Sequence, residues 1–228
     1  MDTQVSKPFP VYVWEAPVRI WHWVMALCMV VLAVTGYLIG SPPPSIGGEA
    51  SEHFMFGTIR FMHFAAAYLF AVSFALRVAW VFLGNRFARE IFTVPAKMLQ
   101  PAWWAGLIEQ TRYYLFLERE ARPWQGHNPL AMAAMFFMYV LGTVFMICTG
   151  FALYGEGLGM NSWAFALFTS WVMPLAGYSQ NVHTLHHLGM WYLLLFTLVH
   201  LYMATREDIC SPATVMSTMV NGWRVAKK

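Results

Sequence analysis

Charge is what this chain has least of. Asp, Glu, Lys and Arg make up 11% of its 228 residues, against about 25% in a soluble globular domain. That scarcity excludes a solvated surface wrapped around one core. The net charge of +3 is too small to make nucleic acid a partner. Cysteine is scarce too: Cys28, Cys148 and Cys210 are the three present, and the first two fall inside apolar runs. Their spacing indicates neither zinc nor iron–sulfur ligation, and no disulfide framework. What the chain has is 59% hydrophobic residues, 17% aromatics, sixteen Met and eleven Trp. This is the composition of an all-α integral membrane protein, with Met filling apolar gaps and Trp marking interfaces.

The apolar runs read as a four-transmembrane-helix bundle in a single membrane domain over residues 1–228, with spans at about 20–40, 58–83, 129–153 and 185–206. A cleaved leader is not expected at the first run, which is long for one, lacks an A-x-A site after it and contains His22. The run Ser41-Pro42-Pro43-Pro44-Ser45 ends the first span, and Gly84-Asn85-Arg86 ends the second. Ala102 to Leu117 mixes Trp103, Trp104, Leu107, Ile108, Tyr113 and Tyr114 with Glu109 and Arg112, the pattern of a helix lying in the interface. A second short helix is expected at 161–173. Residues 1–18 are expected to begin poorly ordered, and the tail 207–228 returns to polar residues.

Four spans leave both termini on one side. The N-terminal arm, the 85–127 loop and the tail hold twelve Lys and Arg; the 41–57 and 154–182 loops hold none, and Arg60 lies just inside the second span. The bias puts both termini and the 85–127 loop in the cytoplasm, and the other two loops outside.

Histidine placement carries the chemistry. His186 and His200 are 14 residues apart in the fourth span. On a helix that is four turns less about 40°, and roughly 21 Å of rise. Both imidazoles therefore leave one face, one near each end. His187 lies about 140° off that face and His183 about 100°. Ionisable residues in a span are costly and mark function. Topology then puts His22 and His200 at inner depth, and His63 and His186 at outer depth. Four histidines at two matched depths fit two bis-histidine b-type haems, the inner on His22 and His200, the outer on His63 and His186. No C-x-x-C-H occurs, which excludes covalent haem attachment. Bis-histidine ligation leaves iron no open position, so electron transfer fits better than oxygen chemistry.

Three further residues belong to this scheme. Gly36, 14 residues after His22, stands at outer-haem depth, where a porphyrin would approach the backbone; the alternative is a helix end or close packing. Arg77, 14 residues after His63, stands at inner-haem depth as a propionate partner or a snorkelling side chain. His187 is read as a hydrogen-bond donor behind a haem ligand or as a propionate partner. His53, His127 and His183 are read as solvated.

Two signatures carry a family resemblance. The first is Arg19-Ile20-Trp21-His22-Trp23 followed by Thr35-Gly36; the second is His183-Thr184-Leu185-His186-His187-Leu188, then Trp191, Phe196 and His200. Gly84-Asn85-Arg86, Gly126-His127-Asn128-Pro129, Arg206-Glu207-Asp208 and Asn221-Gly222 add to them. Over nearly its whole length the chain resembles the b-type cytochrome subunit of membrane-bound Ni/Fe hydrogenases. The resemblance implies a bacterial inner-membrane anchor for a periplasmic heterodimer. The heterodimer's large subunit splits hydrogen, and its iron–sulfur small subunit passes electrons to the outer haem, then the inner haem, then a quinone. Such a subunit is no enzyme by itself. The position of His187 is often Arg in that family, so a propionate contact there would be weaker or pH-dependent. Three other readings stay open: the cytochrome b subunit of a formate dehydrogenase, a stand-alone transmembrane reductase, and a haem-free anchor or transporter with the histidines as a proton relay.

Overall fold

The computed structural model describes residues 9–44, 54–119, 124–210 and 214–226. Most of the 41–57 loop, including His53, therefore lies outside the described residues. In chain order the elements are β1 (Phe9–Tyr12), α1 (Ala16–Gly40), α2 (Met55–Leu83), the single turn α3 (Val94–Lys97) and α4 (Pro101–Tyr114). There follow α5 (Pro129–Leu158), α6 (Phe165–Ala176), α7 (Ser179–Cys210), α8 (Val215–Asn221) and β2 (Trp223–Ala226). Helices α1, α2, α5 and α7 are long and apolar enough to cross a membrane.

Local chemistry sets their ends. α1 stops at Gly40 because three prolines follow Ser41, and a proline both lacks an N–H and disfavours helix at the residue before it. α5 starts at Pro129 because the Asn128 side chain caps it, accepting from the Ala131 N–H at 2.7 Å. α7 starts at Ser179, six residues ahead of the expected 185. Its first turns are polar, and hydropathy registers only the apolar part of a helix. The exposed face of α1 is Leu27, Val30, Val34 and Tyr37, while Met25, Cys28 and Thr35 are buried. An apolar stripe turned outward is stable only against lipid. The chain has the surface of a multi-pass membrane protein.

The chain forms two compact units, and each long helix contributes to both. The first comprises Met1–Trp21, Arg77–Val140 and Phe196–Lys228. In it β1 pairs antiparallel with β2, from Phe9 opposite Ala226 to Tyr12 opposite Trp223. The N–H groups of Val13 and Trp14 both donate to Gly222 O, at 2.9 and 3.2 Å. Gly222 has φ +87°, and a Cβ on it would lie 2.6 Å from Trp14 O. Glu15 Oε2 accepts from Trp80 Nε1 at 3.1 Å and from the Asn85 N–H at 2.9 Å. Asn85 donates to Val13 O at 3.0 Å and accepts from the Ala88 N–H at 2.9 Å. Residues 9–18 of the arm are thus held in place, because α2's end and the tail satisfy its backbone; the start of the arm, where poor order was expected, lies outside the described residues. Val13, Trp14, Val18, Phe87 and Ala88 form the core beneath.

The same unit corrects the reading of His127 as solvated. Its backbone N–H and its Nδ1 both meet Glu90 Oε2, at 2.9 and 3.1 Å, and its ring packs on Trp14. Buried Arg224 donates to Gln125 O and Gly126 O at 3.1 and 2.8 Å. Burial pushes its guanidinium down, against the pull of Glu90 and Glu207, and an arginine so perturbed stays cationic.

The second unit comprises His22–Leu76 and Leu141–Leu195. Ala152, Val172 and Val182 form its core. Here α6, found at Phe165–Ala176 where 161–173 was expected, is tied to α5 by Thr169 Oγ1 donating to Ala152 O at 2.8 Å.

Gly222→Ala forces a Cβ into the left-handed region and against Trp14 O, a cost of about 1–3 kcal/mol. We expect a lower melting temperature and faster proteolysis of the N-terminal arm, with haem content unchanged. Melting and digestion at the wild-type rate would show that the ribbon does not depend on this turn.

Candidate functional site

The second unit builds one arrangement twice. His63 leaves α2 and its Nδ1 lies 2.9 Å from Thr35 Oγ1 on α1. His186 leaves α7 and its Nδ1 lies 2.8 Å from Thr149 Oγ1 on α5. Each threonine is buried, and each hydroxyl also meets the carbonyl one turn back: Val31 O at 2.6 Å and Phe145 O at 2.8 Å. A carbonyl has no hydrogen to give, so at those distances the single hydroxyl hydrogen goes to it. The threonine oxygen is left with lone pairs only, and Nδ1 of each imidazole must carry the hydrogen. The network assigns one tautomer to both rings, with the lone pair on Nε2, the form in which histidine binds a metal.

The residue after each threonine is glycine, and these are the chain's two Thr-Gly dipeptides. A Cβ on Gly36 would lie 3.2 Å from His63 Cε1, and one on Gly150 would lie 3.1 Å from His186 Cε1. The bare backbone lets each ring edge come close enough to reach the neighbouring hydroxyl. Gly36 was expected to admit a porphyrin; its nearest neighbour in the protein is the His63 imidazole. Met190 Sδ also stands 3.9 Å from that Cβ position. Met190 lies one turn after His186, so α1, α2 and α7 meet at Gly36. Thr149 and Gly150 were missed from sequence, although the repeated dipeptide on two spans was a visible signal.

In the first unit, Arg77 is 4% exposed, which removes snorkelling as its role. Its guanidinium lies between Trp21 and Phe92, at 5.2 and 5.0 Å from the ring centroids, and Nη2 donates to Ala88 O at 2.6 Å. Nε and Nη1 are buried without a hydrogen-bond partner among the described residues. Trp21 packs edge-on against Tyr139, Tyr139 stacks on Phe196, and Phe196 stacks on His200 at 5.7 Å. Arg77 and His200 thus belong to one aromatic cluster. Tyr139 sits in a π-helical stretch, Met135–Val140, a departure common at functional sites.

The remaining histidines separate clearly. His22 packs edge-on to Trp23 at 5.1 Å. His187 lies against Gly40, where a Cβ would be 3.3 Å from its Nδ1, and edge-on to Trp191. His183 is exposed, with Nδ1 3.1 Å from Ser179 O of its own helix.

Among the described residues, no three His, Cys, Asp or Glu side chains are grouped to hold a metal ion. Haem asks less of the protein, because the porphyrin supplies four of the six ligands. In the second unit, two Nε2 donors suit an iron. In the first unit, taken by itself, a buried arginine with unpartnered N–H groups suits an anion such as a propionate.

Comparison with known proteins points the same way. The family model described as prokaryotic cytochrome b561 matches residues 13–222. A probable Ni/Fe-hydrogenase B-type cytochrome subunit of Azotobacter vinelandii is 56% identical over 224 residues, 98% of this chain and 92% of that protein. The protein of the same description in Cupriavidus necator is 54% identical over 216 residues, 95% of this chain and 87% of its own length. A probable Ni/Fe-hydrogenase 1 B-type cytochrome subunit of Escherichia coli K12 is 50% identical over 217 residues, 95% of this chain and 91% of its own.

Gly36→Val and Gly150→Val each put a branched side chain where an imidazole edge lies. Each is expected to lower the haem bound per chain, read from the optical spectrum of purified protein; His183→Ala is expected to leave it unchanged. Full haem in both valine variants would remove the glycines from the site.

Proposed function

The chain belongs to the prokaryotic cytochrome b561 family, and from that premise we propose that it is the di-haem cytochrome b subunit of a Ni/Fe hydrogenase, passing electrons to membrane quinone. The observation that carries the site is the matched contact of His63 and His186, whose Nδ1 atoms each lie within hydrogen-bond distance of a buried threonine hydroxyl. The names of the relatives favour a hydrogenase over a formate dehydrogenase or a stand-alone reductase.

Haem b, when bound, supplies a one-electron Fe(III)/Fe(II) couple. The chain's own residues do the rest. His63 and His186 hold the outer group through Nε2, and His22 and His200 hold the inner one. The inner pair rests on the 14-residue register and the depth argument. An iron held by two imidazoles would have no position left for oxygen. Arg77 holds a propionate at the inner site through Nε and Nη1. His187, which lies against Gly40, is a weaker partner of the same kind for the outer group.

The chain acts as a single membrane domain of the bacterial inner membrane, with both termini in the cytoplasm. The 41–57 and 154–182 loops face the periplasm and dock the iron–sulfur small subunit, through which the large subunit is anchored. Electrons enter at the His63–His186 end and leave at the His22–His200 end for quinone. Protons are then released outside and taken up inside, which makes the reaction electrogenic. The chain is an electron-transfer subunit, with hydrogen chemistry confined to its partner.

His63→Ala or His186→Ala, in membranes holding the intact complex, is expected to remove one haem per chain and abolish hydrogen-dependent quinone reduction. Reduction at the normal rate in both variants would overturn this electron path. Hydrogen added to the reconstituted complex with quinone is expected to generate a membrane potential, and a turnover that leaves the voltage flat would sink the proposed sidedness.

A further inference from the structure

We propose that Thr35 and Thr149 are a matched pair of positioning residues that together set the reduction potential of one haem, the one held by His63 and His186. The inference rests on the reading of those two histidines as axial ligands of the same iron.

Three observations carry it. First, each threonine hydroxyl gives its hydrogen to its own helix, at Val31 O and Phe145 O. It is thereby fixed as an acceptor, not a rotor that can switch roles. Second, each accepts from Nδ1–H of one histidine, at 2.9 and 2.8 Å. Third, each threonine is followed by a glycine on which a Cβ would crowd Cε1 of that same ring, at 3.2 and 3.1 Å. The hydroxyl fixes the ring's rotation about its bond to Cβ; the glycine fixes how near the ring comes. The two arrangements come from different helix pairs, α1 with α2 and α5 with α7, yet agree within 0.1 Å in both distances.

The electronic consequence follows from the partner's chemistry. An acceptor on Nδ1–H makes Nε2 a better donor to the metal. A better donor stabilises the ferric state and lowers the potential. A hydroxyl whose hydrogen is committed elsewhere is a neutral acceptor, far weaker than a carboxylate, so it trims the potential without drawing the ring toward imidazolate. Removing one acceptor should therefore raise the potential of this haem and leave the other where it is. The shifts should share one direction, and that of the Thr35 variant should be no larger than that of the Thr149 variant, because Leu32 O is a second acceptor within reach of His63.

The test is a redox titration of haem absorbance in membranes with the intact complex, with low-spin ferric electron paramagnetic resonance recorded in parallel. The variants are Thr35→Val, Thr149→Val, Thr35→Ser and Thr149→Ser. Each valine variant is expected to favour the reduced form of one and the same haem by about tenfold, which is about 59 mV for one electron. The other haem should not move, and the serine variants should titrate as wild type. The resonance of the shifted haem should also change, because it reports the angle between the two imidazole planes.

Unshifted potentials in both valine variants, shifts in different haems, or serine variants that move as far as valine would each overturn the proposal. Should a valine variant lose the haem, alanine replaces it. Loss in valine and alanine with retention in serine upholds the hydroxyl's role; loss in all three overturns it. The ligand reading is checked separately. If His63→Ala and His186→Ala both keep two haems, that reading fails and takes this one with it. If both lose the same haem while the threonine variants titrate as wild type, only the present inference fails.

Discussion

Which nitrogen of an imidazole keeps its hydrogen is the question that the second unit answers structurally. A histidine in an apolar bundle has two polar atoms and no water to settle them, and a buried donor left unmade costs about 1–3 kcal/mol. The threonine on the preceding long helix takes that donor, and everything nearby is consistent with its reach. α1 and α2 must approach closely, so the residue beside Thr35 carries no side chain. α5 and α7 must do the same, so the residue beside Thr149 carries none. With one nitrogen of each ring committed, the other is the one the proposed haem would use. Helix spacing and side-chain size are one constraint here.

The first unit handles its polar groups differently. Its buried cations, Arg77 and Arg224, and half-buried Arg206 make few direct contacts with carboxylates. They turn to carbonyls and rings instead. Arg77 uses Ala88 O, Trp21 and Phe92. Arg224 uses two loop carbonyls. Arg206 lies over Tyr113, Tyr114 and Phe116, at 5.0 to 5.6 Å. Aromatic faces attract cations without competing for their hydrogen-bond donors. Arg77 accordingly keeps N–H groups to offer an anion.

Legibility in the sequence followed the length scale of each feature. A 14-residue histidine spacing is a property of one helix, so His186 and His200 could be proposed from one span alone, whereas His22 and His63 needed the topology as well. Helix existence was equally plain, because about 20 apolar residues need no tertiary context. The ribbon was hidden: Phe9–Tyr12 and Trp223–Ala226 are four-residue strands separated by most of the chain, and neither has a turn to announce it. Arg77 was ambiguous because snorkelling and burial use the same residue at the same depth; Trp21 and Phe92 decide between them. Thr149 escaped notice for a related reason. A threonine in a span usually bonds its own helix, and only the partner helix shows that its lone pairs are used as well.

The ribbon of β1 and β2 bears on how the protein is made. Its first strand leaves the ribosome before any of the four long helices, and its second after all of them. The arm has no partner for its ladder until β2 has been made. Closure of this edge therefore comes after synthesis of all four long helices, and the two strands form a latch between segments far apart in sequence. Because the latch also holds Glu15 and Asn85 at the end of α2, the packing of that helix end is completed only then.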